Sequence, residues 1–125
     1  GSTLPLPANT CELPSLKEDR KRADAIFRGT ITEIRGTRVR FRVERVWKGK
    51  VTREFEMNGI SGVAPFSFYP GQLEVGNDLL VFAARLSPED PPNDLFNINC
   101  SHTHFASQRA AVIAKLGRGR KPSEK

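Results

Sequence analysis

The chain has 125 residues, of which 38% are apolar and 27% charged, and a formal net charge of +6. That length supports one domain around one core and is too short for two ordinary ones; no apolar run approaches the roughly 20 residues that a membrane-crossing helix needs. Half of the positive excess falls in residues 118–125, which carry four cations against one glutamate, so composition permits a polyanionic partner without naming one.

In chain order, Gly1-Ser2 reads as the remnant of a cleaved expression tag, so the absence of a leader says little about the native precursor. Residues 3–14 hold three prolines and no hydrophobic period, and are expected to form an extended arm. Ser15 followed by Glu18 fits a capping box, in which each residue satisfies a free amide of the first helical turn. It predicts a short polar helix from Leu16 to Arg22, too short to stand alone.

Strand patterns follow. ADAIFRGTITEIR offers Ile26, Ile31 and Ile34 to a core, with Gly29 as a bend or bulge, and Gly36-Thr37 supplies a tight turn. RVRFRVERVW alternates strictly, with Val39, Phe41 and Val43 on one face and Arg38, Arg40 and Arg42 on the other. The alternation slips at Val46-Trp47, which predicts a bulge before the turn at Lys48-Gly49-Lys50. TREFEM gives a third strand with Phe55 and Met57 inward. Residues 58–77 are rich in Gly, Pro and Ser, interrupted by Phe66, Phe68 and Tyr69, which are expected to pack down. DLLVFAARL is a strand buried on both faces, and LFNINC a fifth strand with Leu95, Phe96 and Ile98 competing for the core. Thr103 is a candidate N-cap for a longer helix with Phe105, Arg109, Val112, Ile113 and Leu116 at helical spacing, stopping at Gly117. Residues 118–125 are expected to be a basic, disordered, solvated tail. Five strands with a short helix before and a longer one after fit a mainly β, five-stranded closed barrel of the OB type, although small α+β sandwiches share the pattern.

The stretch NINCSHTHF gathers Cys100, His102 and His104 into five residues. As metal ligands completed by Cys11 they would form a Cys₂His₂ set. However, structural zinc sites use paired C-x₂₋₄-C or H-x₃₋₅-H spacings, which C-x-H-x-H does not supply. A Cys/His nucleophile would need a thiolate beside an imidazolium, with Asn97 or Asn99 as the orienting group. No Ser-His-Asp spacing, glycine-rich phosphate loop or paired-carboxylate pattern supports an enzyme. The simpler reading leaves both histidines exposed at a strand-to-helix junction. An even cysteine count is also compatible with a bridge, which would close a loop of about 90 residues and be worth on the order of 4–5 kcal/mol.

Arg38, Arg40 and Arg42 project from one strand face at about 6–7 Å intervals, and Lys48 and Lys50, with Arg28, Arg45 and Arg53, could extend that surface. Phe41 and Phe55 alternate inward and leave no stacking platform, so nucleic acid is disfavoured. Sulfated glycans, anionic lipid headgroups or acidic proteins fit better. The competing reading is a solvated face on which Glu33, Glu44, Glu54 and Glu56 pair with these arginines across strands.

The order Cys11, ADAIFRG (23–29), VERVWKG (43–49), LLVFA (79–83) and Cys100 before a helix resembles the netrin-like domain. This OB-barrel module is shared by tissue inhibitors of metalloproteinases, netrin C-terminal domains and secreted bacterial relatives, and the resemblance covers residues 11–117. It implies a secreted or periplasmic, cofactor-free, monomeric and non-catalytic module that binds a protein partner, with Cys11 and Cys100 joined in a disulfide. The partner edge it implies comprises Asn9, Thr10 and Glu12 of the arm with Gly59, Ile60 and Ser61 of the loop. The inhibitors begin at a Cys-x-Cys whose first cysteine grips the target's zinc; Asn9 occupies that position here, and the loop cysteine that pairs with it is also missing. Metalloproteinase inhibition by the family mechanism is therefore not expected.

Overall fold

The computed structural model describes residues 13–58, 73–92, 94–98 and 101–124. Ser15 opens α1 (Leu16–Arg22) through the expected capping box: its hydroxyl accepts the Glu18 N–H at 3.1 Å, and the Glu18 carboxylate accepts the Ser15 N–H at 3.4 Å. Strands β1 (Ala25–Arg35) and β2 (Arg38–Lys48) form a long hairpin around Gly36-Thr37, followed by β3 (Glu54–Asn58), β4 (Asp78–Ala84), β5 (Phe96–Asn97) and β6 (His104–Phe105). A 3₁₀ turn (Ala106–Gln108) leads into α2 (Ala110–Leu116).

The sheet runs β1-β2-β3-β5-β4 and closes because β4 also pairs antiparallel with β1, from Ala25↔Ala83 to Thr30↔Asp78. All neighbours are antiparallel except β3 and β5, which meet in parallel at Asn58↔Phe96. The result is a closed five-stranded OB-type barrel with β6 as an extra strand on β4. Three register shifts let the eleven-residue ribbons of β1 and β2 coil around it. One skips Trp47 and turns Val46 inward, where the sequence pattern slips. Another lies at Gly29, where an added Cβ would stand 2.9 Å from the Arg42 carbonyl oxygen.

The barrel interior is filled by Phe27, Phe41 and Phe55, with Phe27 edge-on to the other two at 5.2 and 5.3 Å between ring centres, and by Ile31, Met57, Leu79 and Val81. A second cluster, Ala23, Ile26, Leu80, Phe82 and Leu116, lies outside the wall under α1 and α2, with Leu16, Trp47, Val112 and Ile113 packed on it. β4 is therefore buried on both faces, as its unbroken apolar run implies.

Four expectations are corrected. Ile34 is not a core residue but is 39% exposed near the hairpin tip. The fifth strand is only Phe96–Asn97, against Ala84 and Ala83 of β4, and between it and β6 the Phe82 N–H is taken by the Thr103 hydroxyl at 2.8 Å, so a side chain replaces a ladder bond. Thr103 is consequently buried in the wall and does not cap a helix; Phe105 stays extended in β6, and α2 begins only at Ala110. Residues 118–124 are not a free tail. Arg120 exchanges two backbone hydrogen bonds of 2.8 Å with Val46, and Ser123 accepts the Arg53 N–H at 2.8 Å. Phe66, Phe68 and Tyr69 lie outside the described residues.

Candidate functional site

The most deeply placed polar cluster centres on Asp19, an acidic side chain with no solvent exposure. Leu16, Asp19 and Ala23 share the inward stripe of α1, so the helix that buries Leu16 and Ala23 must also bury a carboxylate. Its Oδ2 accepts the backbone N–H of His102 at 2.8 Å and meets the His102 ring at Nδ1, while its Oδ1 accepts Arg22 Nε at 2.9 Å. Arg109 Nε donates to the His102 carbonyl at 3.0 Å. The imidazole lies 5.9 Å from the Phe82 ring, centre to centre. A buried charge left unpaired is costly, and this set supplies the partners that the carboxylate needs.

Neither histidine is an exposed junction residue. His102 is buried, with its Nδ1 committed to Asp19. His104 is half-buried on β6, and its Nδ1 accepts the Phe105 N–H at 2.8 Å. Burial pushes its imidazole pKa below the ordinary value, and the Arg109 guanidinium adds to that depression. The Ser101 hydroxyl donates to the Ile98 carbonyl at 2.7 Å and accepts the Thr103 N–H at 3.2 Å, so it is engaged in holding the turn. The side-chain oxygen of Asn97 is buried and meets no donor among the described residues, so it orients neither imidazole. Among the described residues no group of three His, Cys, Asp or Glu side chains stands together as a metal site. Cys11, Asn9, Thr10, Glu12, Gly59, Ile60, Ser61, Asn99 and Cys100 lie outside the described residues.

The arginine strand face is assembled as its alternation implies, but with acidic partners. Arg38 Nε lies 3.0 Å from Glu56, whose carboxylate also meets Arg40 at 3.5 Å; Arg40 reaches Glu33 at 3.6 Å. These pairs hold the Glu56 carboxyl below its ordinary pKa, the Arg38 hydrogen bond most of all, and leave between them a crevice of only about 30 Å³. Arg42 faces Glu54 in register. Glu44 takes no part there; it lies skipped in the β1–β2 ladder and acts electrostatically on Arg28, which is bound to Asp78 at 3.2 and 2.7 Å. Lys48 is at the far end of β2, its Nζ donating to the carbonyls of Arg20 and Lys21 at 2.6 and 3.3 Å, and Lys50 is exposed on the following turn. Lys48 and Lys50 are thus not part of the arginine face.

Fold and site define the chain as an OB-type barrel with an apolar interior, to whose outer wall α1 is fastened by the buried Asp19–His102 pair. No protein-family model matches the sequence, and no curated protein is significantly similar to it. Among the described residues no helix is long and apolar enough to cross a membrane.

Proposed function

We propose that the chain is a secreted, non-catalytic binding module of the netrin-like type, which takes a protein partner on the edge formed by Asn9, Thr10 and Glu12 with Gly59, Ile60 and Ser61. One observation carries the reading: Asp19 fastens α1 to the segment just after β5 through His102. A Cys11–Cys100 disulfide would join the same two parts of the chain, four residues before Ser15 and one before Ser101. The stretch with the most reactive residues is then a fastening, with the His102 ring committed to a structural carboxylate. This supports a binding role over a Cys/His enzyme or a zinc site.

Intact mass after denaturing alkylation tests the staple. Protein from an oxidising compartment is expected to take up no alkyl group before reduction and two afterwards; two thiols alkylated without reductant would overturn it. Photo-crosslinkers at Glu12 and Ser61 test the edge. Both are expected to capture the same protein, and a crosslinker at Arg42 should not.

A second reading, polyanion binding through Arg38, Arg40 and Arg42, is weakened by the Glu33 and Glu56 pairs, which return much of that charge to neutrality.

A further inference from the structure

The cations fall into two groups by their partners. Arg28, Arg38, Arg40 and Arg85 meet carboxylates on the barrel, Arg22 meets Asp19 within α1, and Arg53 meets Glu124 of the C-terminal segment. Lys17, Lys21, Lys48, Lys50, Lys115 and Lys121 meet none among the described residues, and the fold gathers all six at one end. Lys17, Arg20, Lys21 and Lys115 surround a depression of about 590 Å³ with Leu16 on its wall. Lys48 is tied to the last carbonyls of α1. The Trp47 indole N–H donates to the Gly117 carbonyl at 2.9 Å, which fixes the end of α2 beside Lys48. Arg120 pairs with Val46 and donates to the Gly49 carbonyl, which brings Lys121 to the turn carrying Lys48 and Lys50. The carboxylates near this end are engaged elsewhere: Asp19 with His102 and Arg22, Asp24 with Arg85, Glu124 with Arg53, and Glu18 in the capping box.

We propose that this lysine pole seats the protein on an anionic phospholipid surface. Lysine is a compact, hydrated point charge that suits diffuse attraction to many headgroups more than forked recognition of one anion. The cations come from α1, α2, the β2–β3 turn and the C-terminal segment, so they spread over an area instead of following one groove. Leu13, 51% exposed, and Leu16 lie at the same helix and, with the aliphatic stems of the lysines, offer apolar surface to a bilayer interface. A sulfated glycan has no use for such surface. The Trp47 ring is held by Gly117, which leaves no free platform for bases. This inference stands on the charge distribution and not on the netrin-like reading, so its failure leaves the disulfide and crosslinking tests untouched.

Flotation of the full chain with vesicles of equimolar phosphatidylcholine and phosphatidylglycerol tests it, against vesicles of phosphatidylcholine alone. Binding to the mixed vesicles is expected in about 0.1 M salt and is lost at about 1 M, where the Debye length falls from about 10 to about 3 Å. The variant K17Q/K21Q/K115Q is expected to bind roughly 100-fold more weakly, since each such cation contributes about fivefold. K17R/K21R/K115R, which keeps the charge, should bind as the parent does, and R38Q/R40Q should be unaffected. All three lysines are exposed, and the fluorescence of the single tryptophan, Trp47, checks that the variants fold. Equal binding to uncharged vesicles, no binding to mixed ones, or loss in R38Q/R40Q instead of the lysine variant would each overturn the proposal. Lysine-dependent retention on heparin without vesicle binding would assign the pole to a soluble polyanion and also overturn it.

Discussion

Asp19 and His102, 83 positions apart in the chain, are joined twice: the carboxylate takes both the His102 backbone N–H and its ring. The pair is buried and holds α1 against the wall formed by β4, so it fixes the helix that carries Lys17 and Lys21. Asp19→Ala leaves a buried amide and an imidazole without their acceptor and is expected to cost about 3–5 kcal/mol. His102→Ala should cost less, about 1–2 kcal/mol, because Arg22 and the backbone N–H still serve the carboxylate. Urea unfolding of both variants and the double mutant measures the coupling. An Asp19→Ala protein within about 0.5 kcal/mol of the parent would show the clasp to be energetically idle.

Phe27 and Ile34 lie on one strand and are expected to differ sharply. Phe27 is wholly buried between Phe41 and Phe55, and Phe27→Ala should lower stability by about 3–5 kcal/mol through lost burial and the cavity left behind. Ile34, at the exposed end of the hairpin, should tolerate Thr within about 0.5 kcal/mol. Denaturant midpoints of the two variants decide it, and equal losses would contradict the placement of the core.

The contrast between these two residues marks what the sequence makes legible. Period two shows that β2 has an apolar face, and Val39, Phe41 and Val43 do point inward. In β1 the register shift that skips Thr32 returns Ile34 to the face of Ile31, opposite the buried Val39, so its exposure comes from its place near the hairpin tip and not from the face it occupies. The capping box of α1 is local and is readable to its last residue. Asp19 is not, because the signal for its burial lies in a histidine 83 positions away. Spacing alone shows Asp19 on the stripe of Leu16 and Ala23, but nothing nearby identifies the donor that makes burial tolerable. Thr103 is missed for the same reason: its hydroxyl replaces a strand partner for Phe82, a contact set by the closure of the barrel.

His104 makes stability depend on pH. Its pKa in the fold is lowered, first by burial and then by Arg109, from an ordinary value of 6.5. Between the folded and unfolded values the unfolded chain binds more protons, so this contribution is fully present above pH 6.5 and is lost as pH falls through the folded pKa. Protonation at Nδ1 would also break the bond from the Phe105 N–H. His104→Asn should therefore narrow its stability difference from the parent as pH falls below 6.5. Urea midpoints across that range measure it, and a difference that widens in acid would rule the account out.

The C-terminal segment is expected to be part of the barrel's stability. Val46 N–H donates to Arg120, Arg120 N–H to Val46, Arg53 N–H to Ser123 and Ser123 N–H to Val51, at 2.8 to 3.1 Å. Each bond adds roughly 0.5–1.5 kcal/mol before the cost of ordering the segment, so deleting residues 118–125 should cost about 2 kcal/mol. Amide hydrogen exchange would localise the loss, with Val46 and Arg53 losing protection while Phe41, inside the ladder, keeps it. A point substitution gives the same result without truncation. Gly119 has φ +70, and an added Cβ would lie 2.8 Å from the Trp47 indole nitrogen and 2.9 Å from the Val46 carbonyl. Gly119→Val should therefore undock the segment, expose Trp47 and shift its fluorescence to the red. Unchanged exchange at Val46 in both variants would show that the segment adds nothing to the fold.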